Sequence, residues 1–330
     1  MIKWGMIGCG DVTEKKSGPA FNKVENSELI AVMSRTYTKV KDYADRHKID
    51  FYTDKIDELL SINEINAIYI ATPPDSHLKY TKLAAEAGKH VYGEKPMALN
   101  HKECIEMIDV CKQNDVKLFP AYYRRRLPKF LKVKELIDAK AIGEIKHVLI
   151  ELTSTPREED MQKENLPWRV MPEYSGGGYF MDMGSHQLDL LDYYFGEIND
   201  VSAVVKNYSG LYPADDFVSG RFVTVSGMVI TGIWDFAAHP SQEKDLFKIS
   251  GTKGTISFSS FGTDEIILET NNGINKYLES FPENVHFYLI ESVVKDLLGG
   301  MPSPSTGESG ARTNLIIDLV YGRDGKNTYR

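Results

Sequence analysis

The chain has 330 residues, 42% hydrophobic and 26% charged, an ordinary balance for a folded protein and enough length for two domains. Its 39 Lys and Arg against 47 Asp and Glu leave a net charge of −8, which argues against a nucleic-acid partner and for a small molecule. No apolar stretch reaches the roughly eighteen residues a membrane span needs, no secretory leader precedes the first strand, and a cytoplasmic protein is expected. Three cysteines, Cys9, Cys104 and Cys111, form no CxxC pair and leave one over in any pairing scheme, which suits a reducing compartment.

From residue 2 to about 122, short β-branched runs alternate with amphipathic segments, the pattern of βαβ units on a parallel sheet. Predicted strands cover 2–7, 29–33, 67–71, 90–92 and 116–121. A helix is predicted over 101–113, with Asn100 as its cap, Glu103 at the capping-box position, and Cys104, Met107, Ile108 and Cys111 as a core-facing stripe. Residues 1–122 therefore read as a doubly wound α/β domain that collects its ligand sites at the strand C-terminal ends. After a helix over 129–139, alternating runs at 146–154, 201–208, 217–236, 246–250, 255–259 and 265–269 predict a second α/β domain, 123–330, with a large, mostly antiparallel open sheet. Asn284 is expected to cap a helix with Ile290, Val293, Val294 and Leu297 on one face; a last helix over 307–321 and a polar tail from Gly322 follow.

Gly8-Cys9-Gly10-Asp11-Val12-Thr13 comes directly after the first strand and matches the first two glycines of G-x-G-x-x-G, with Thr13 in place of the third. Those glycines permit a tight turn and let backbone N–H groups approach a pyrophosphate at a helix N-terminus. At the end of the second strand, Ser34-Arg35-Thr36 offers no carboxylate for a ribose diol. A guanidinium with two hydroxyls suits a 2′-phosphate, so NADP is favoured over NAD. Thr72, Pro73 and His77 close the strand over 67–71, where the chain should border the nicotinamide.

Glu94-Lys95-Pro96 ends the strand over 90–92, where a lysine can polarise a substrate oxygen. Tyr123 and Arg124 offer an aromatic face and a guanidinium to a sugar, while Arg125 and Arg126 read as surface charge. Further on, Gly176-Gly177-Gly178 leads to Asp182, His186 and Asp189, which share a helix face, so that a carboxylate can orient an imidazole able to exchange a hydroxyl proton. With no cysteine and no second histidine nearby, a metal site is not expected there.

In this order and at these separations, Gly8-x-Gly10, Ala71-Thr72-Pro73 with His77, Ala87-Gly88-Lys89-His90-Val91 before Glu94-Lys95-Pro96, and the glycine run with Asp182, Gly184, His186 and Asp189 resemble the glucose-fructose oxidoreductase / inositol dehydrogenase / MocA family over nearly the whole chain. The resemblance implies a Rossmann domain followed by an α/β domain whose open sheet makes homodimers or homotetramers. It implies Lys95, Asp182 and His186 as the catalytic group and Glu94 beside the cofactor. Ser34 stands where inositol-dehydrogenase-like members carry a cofactor-selecting Asp. Ser34 with its arginine, and Trp168-Arg169 as substrate contacts, look closer to NADP-using 1,5-anhydrofructose reductases and dihydrodiol dehydrogenases. The implied activity is hydride transfer between NADP(H) or NAD(H) and a carbinol or carbonyl carbon of a sugar, cyclic polyol or related small molecule. Two alternatives stay open: a nicotinamide-retaining, glycosidase-like enzyme and a ligand sensor or co-repressor of the same fold.

Overall fold

A computed structural model of the protein describes residues 1–323, so the expected polar tail lies almost wholly outside the described residues. The described residues form two compact units, one of Met1–Leu127 with Pro282–Ala311, the other of Pro128–Phe281 with residues 312–323.

In the first unit, β1 (Ile2–Ile7), α1 (Gly18–Lys23), β2 (Ser27–Met33), α2 (Tyr37–His47), β3 (Phe51–Thr53), α3 (Ile56–Leu60), β4 (Ala67–Ile70), α4 (His77–Glu86), β5 (His90–Gly93), α5 (His101–Gln113) and β6 (Leu118–Pro120) follow one another. The strands are all parallel in the order β3-β2-β1-β4-β5-β6, so the winding reverses between β1 and β4, where such sheets bind ligands. Trp4, Phe21, Tyr43, Tyr69 and Tyr92 pack on one face; Ile68, Tyr80, Met107, Cys104 and Cys111 pack on the other. The cap of α5 forms as expected, with Asn100 Oδ1 accepting from Glu103 N at 3.0 Å. The Glu103 carboxylate reaches back to Leu99 N, at 3.2 Å.

The second unit runs through α6 (Pro128–Asp138), β7 (Ile145–Thr153), α7 (Pro172–Ser175), α8 (Ser185–Phe195), β8 (Ile198–Lys206), β9 (Phe217–Thr224), β10 (Val229–Asp235), β11 (Lys244–Gly251), β12 (Gly254–Phe258), β13 (Glu265–Thr270) and β14 (Gly273–Leu278). Its eight strands lie in the order β14-β13-β12-β11-β7-β10-β9-β8, antiparallel except where β7 runs alongside β10. The alternating run over 217–236 is the β9–β10 hairpin, and β14 has no such signal because its residues are nearly all exposed and show no alternation. Phe130 of α6 packs on Phe258, Tyr194 of α8 on Phe247, and Gln187 of α8 reaches Trp234, so these helices cover one face of the sheet.

The last two helices are α9 (Phe287–Leu297) and α10 (Gly307–Tyr321). The apolar stripe of α9 lies on one face as expected, but Ile290, Val293 and Val294 are buried in the core around Trp4 and Phe21, with Leu297 half-buried against it. This differs from the reading of 123–330 as one domain, and the shortness of α1 explains it. Six residues of helix leave much of that sheet face open, and α9 packs beside α1 to cover it. Asn284 does not cap α9 with its side chain; its amide donates to Lys15 O at 2.5 Å and its oxygen accepts from Lys23 Nζ at 2.8 Å.

Candidate functional site

The C-terminal edge of the parallel sheet brings together the loops after β1, β2, β4 and β5. Gly8 has φ +101°, and a Cβ there would lie 2.6 Å from Ala71 O, so glycine is required both by conformation and by the approach of the β4 strand end. A Cβ on Gly10 would meet nothing within 4 Å, which leaves the turn's backbone open to a ligand. Asp11 is exposed and Val12 half-buried, whereas Cys9 is 4% exposed, its thiol pushed up to about 12 by burial; only the backbone of Cys9 suits a ligand.

After this turn the chain makes one wide turn with i→i+5 hydrogen bonding over Val12–Lys16 before α1 begins. Pro19 provides the reason: with no N–H, it cannot bond to Lys15 O, and that carbonyl takes the Asn284 amide while Lys16 O takes His286 N at 3.3 Å. Thr13, standing for the third glycine, is buried, and its hydroxyl donates to Gly10 O at 2.7 Å. The close packing usually provided by that glycine falls to Gly18, where a Cβ would collide with Thr13 O and the Tyr43 hydroxyl. Ser34 is half-buried and Arg35 and Thr36 are exposed at the end of β2. Nearby, Arg46 is committed to Glu14 and Asp42, and its guanidinium holds the Glu14 carboxyl down to about 2.

His77 is buried, with Nε2 2.8 Å from Thr72 O and Nδ1 3.2 Å from Met97 O. It ties the loop after β4 to the loop after β5, and burial pushes its pKa down. Thr72 and Pro73, half-buried, border the same loops. Glu94 points into the core, where the Tyr69 hydroxyl donates to its Oε1 at 2.6 Å and His286 Nε2 lies 3.7 Å away; burial pushes this carboxyl up. Lys95 follows, half-buried, and its peptide bond to Pro96 is cis.

Tyr69, Ser17, Tyr92 and His286 were not singled out from sequence, since a buried Tyr or His resembles ordinary core. Ser17 Oγ is 2.8 Å from the Tyr69 oxygen, and the Tyr92 hydroxyl is 3.0 Å from His286 Nδ1. Tyr123 lies against the His286 ring, and Arg124 stacks 5.1 Å above Tyr123 and donates to its oxygen at 3.2 Å. Arg125 is not surface charge: it is 4% exposed and donates to Pro304 O at 3.0 Å. Arg126 is half-buried.

In the second unit, Phe180–Gly184 forms another wide turn with i→i+5 hydrogen bonding that leads into α8, so Asp182 precedes the helix that carries His186 and Asp189. The Asp182 carboxylate accepts from Arg169 Nε at 3.1 Å, and that guanidinium stacks 4.6 Å over the Trp168 ring. The structure thus joins Trp168, Arg169 and Asp182, which sequence had noted apart. His186 is 4% exposed, with the Phe261 ring 6.0 Å away, and Asp189 is buried. The glycine run lies against Asp215 and Tyr321: Gly178 N donates to Asp215 Oδ1 at 3.1 Å, and Tyr321 donates to the same oxygen at 2.8 Å. Among the described residues no group of three or more His, Cys, Asp or Glu is placed to hold a metal ion, and no helix is long and apolar enough to cross a membrane.

Residues 2–122 match the description "Oxidoreductase family, NAD-binding Rossmann fold", and residues 130–257 match "GFO/IDH/MocA C-terminal domain". The chain is 41% identical to Oxidoreductase P35 of Formosa agariphila over 97% of this chain and 98% of that protein. Among solved structures, it resembles the aldose-aldose oxidoreductase of Caulobacter crescentus complexed with glycerol, with a TM-score of 0.87 at 23% identity over 100% of this chain and 99% of the other. It also resembles levoglucosan dehydrogenase in complex with NADH and levoglucosan, with a TM-score of 0.86 at 23% identity over 99% and 98%. Fold and matches together define an oxidoreductase that uses a nicotinamide dinucleotide, NAD or NADP. The chain belongs to the glucose-fructose oxidoreductase / inositol dehydrogenase / MocA family.

Proposed function

We propose that the protein moves hydride between NADP(H), in preference to NAD(H), and a carbinol or carbonyl carbon of a sugar, cyclic polyol or related small molecule. One observation carries the reading: a glycine turn with open backbone stands at the reversal of winding, and a half-buried lysine stands on the same C-terminal sheet edge, after β5.

In this reading the backbone at Gly8, Cys9, Gly10, Asp11 and Val12 receives the pyrophosphate, and Ser34, Arg35 and Thr36 receive the far ribose, with the exposed Arg35 guanidinium suited to a 2′-phosphate. Thr72 and Pro73 border the nicotinamide end. His77 and Glu94, both turned into the core, support these loops. A bound nicotinamide supplies or accepts the hydride. The Lys95 ammonium donates to the substrate oxygen and stabilises its developing charge, and His186 takes the hydroxyl proton as neutral imidazole or returns it as imidazolium. Asp182, steadied by Arg169, orients that exchange, and Tyr123, Arg124, Trp168 and Arg169 offer stacking surfaces and donors to hydroxyls. Assembly as a homodimer or homotetramer through the open sheet is supported by exposed Val204, Val229, Ile274 and Leu278 on β8, β10 and β14.

The test is paired titration with NADPH and NADH, then an absorbance screen of keto-sugars and polyols, with Lys95→Ala and Arg35→Ala alongside. Lys95→Ala should retain nucleotide binding and lose about a hundredfold or more in turnover. Arg35→Ala should weaken NADPH by about tenfold or more and leave NADH unchanged. Absence of binding by either nucleotide overturns the dehydrogenase reading; equal loss for both in Arg35→Ala overturns the preference for NADP.

A further inference from the structure

The connection between β12 and β13 is pinned far more heavily than a surface hairpin needs. Asp245 accepts three successive backbone donors, Ser260 N at 2.8 Å through Oδ1 and Phe261 N and Gly262 N at 2.7 and 3.0 Å through Oδ2. Lys129 is fully buried, and its ammonium donates to Ser259 O at 2.7 Å and to Thr263 O, bracketing the loop. Three aromatic rings, Phe130, Phe258 and Phe281, stand 5.7 to 5.8 Å from the same ammonium. Burying a lysine is costly unless its donors are met, and here the loop's own carbonyls meet them.

A third fastening comes from α8. Gln187 is fully buried; its oxygen accepts from Trp234 Nε1 at 2.6 Å and its amide donates to Ser260 Oγ at 2.9 Å. Gln187 is the residue after His186, and Ser260 the residue before Phe261. The Gln187–Ser260 hydrogen bond therefore ties the loop to the helix turn that bears the imidazole. What this fastening holds in place is the Phe261 ring, half-buried, 6.0 Å from the His186 ring and inclined to it by 70°.

We propose that Phe261 is a specificity-determining residue, an aromatic wall beside His186 that packs on the C–H face of a ring-form substrate, with Asp245, Lys129 and Gln187 as its positioning residues. The inference rests on the assignment of His186 to the substrate site. A pyranose or cyclitol has an apolar face of axial C–H bonds for an aromatic ring to cover. An open-chain polyol has no such fixed face.

Wild type, Phe261→Ala, Phe261→Tyr and Asp245→Ala are compared on D-glucose, myo-inositol and the open-chain polyol sorbitol, with nucleotide affinity measured separately. Phe261→Ala should raise KM for the turned-over cyclic substrate by about tenfold, with kcat changed much less. Sorbitol kinetics and nucleotide affinity should hold, Phe261→Tyr should restore the low KM, and Asp245→Ala should share the defect. If Phe261→Ala does not fold, Phe261→Leu should show the same split between KM and kcat. Wild-type turnover with unchanged KM in the variant, or an equal rise for sorbitol, overturns this inference alone. Wild-type inactivity on the whole panel overturns the dehydrogenase reading and this inference with it.

Discussion

Replacing Asp215 by Asn tests how the glycine run before the histidine helix is anchored. Asp215 Oδ1 accepts from Gly178 N and Tyr321, while its Oδ2 is buried with no hydrogen-bond partner among the described residues, and burial raises the carboxyl from 3.8 to about 6. The folded state therefore holds this proton more tightly than the unfolded chain does. Its contribution is most favourable below about pH 4, falls between about 4 and 6, and is level above that. At about 1.36 kcal/mol per pH unit the fall amounts to roughly 3 kcal/mol. Asn keeps the Oδ1 acceptor and cannot ionise, and the cost of its unpartnered amide is the same at every pH. The stability of Asp215→Asn relative to wild type should thus improve by about 2.4 kcal/mol between about pH 4 and 7.5. Chemical denaturation at the two pH values measures this difference, and a constant gap would refute the reasoning.

Two further outcomes concern the first unit. Burial lowers His286 from 6.5 to about 3 and lowers His77 as well, so both favour the fold above about pH 6.5 and withdraw support as the pH falls. By about pH 4, His286 should account for about 3 kcal/mol of lost stability, an acid slope that His286→Phe should reduce in denaturation curves. Gly8→Ala places a methyl group against Ala71 O at positive φ, and should abolish nucleotide binding in a fluorescence titration while far-UV circular dichroism stays native.

The parallel half was legible because its strands are buried on both faces and stand out as apolar runs such as Ala67–Ile70, set between amphipathic helices. The second sheet was legible where alternation is strong and unreadable in β14, whose exposed residues carry no pattern. Lys95 and the residues around His186 stood out as candidates, the one by its place at a strand end and the others by their spacing. What escaped was tertiary. Nothing local shows that Asn284 will find Lys15 O, that α9 will close the sheet holding Trp4, or that Gly18 will take over the packing left by Thr13. Arg125 misled for the same reason: its partner, the Pro304 carbonyl, lies far along the chain.

The late return of Pro282–Ala311 to the first unit has a consequence for biosynthesis. By the time β6 has emerged from the ribosome, every strand of the parallel sheet exists, yet the helix that covers Trp4 and Phe21 has not been made. At ordinary translation rates that wait lasts roughly 8 to 30 seconds. Throughout it the nascent nucleotide half presents an aromatic-rich surface, and the loop carbonyls of Lys15 and Lys16 still lack Asn284 and His286. The glycine turn would acquire its final support only near the end of synthesis, so that a truncated translation product would hold the whole dinucleotide motif and still be a client for chaperones.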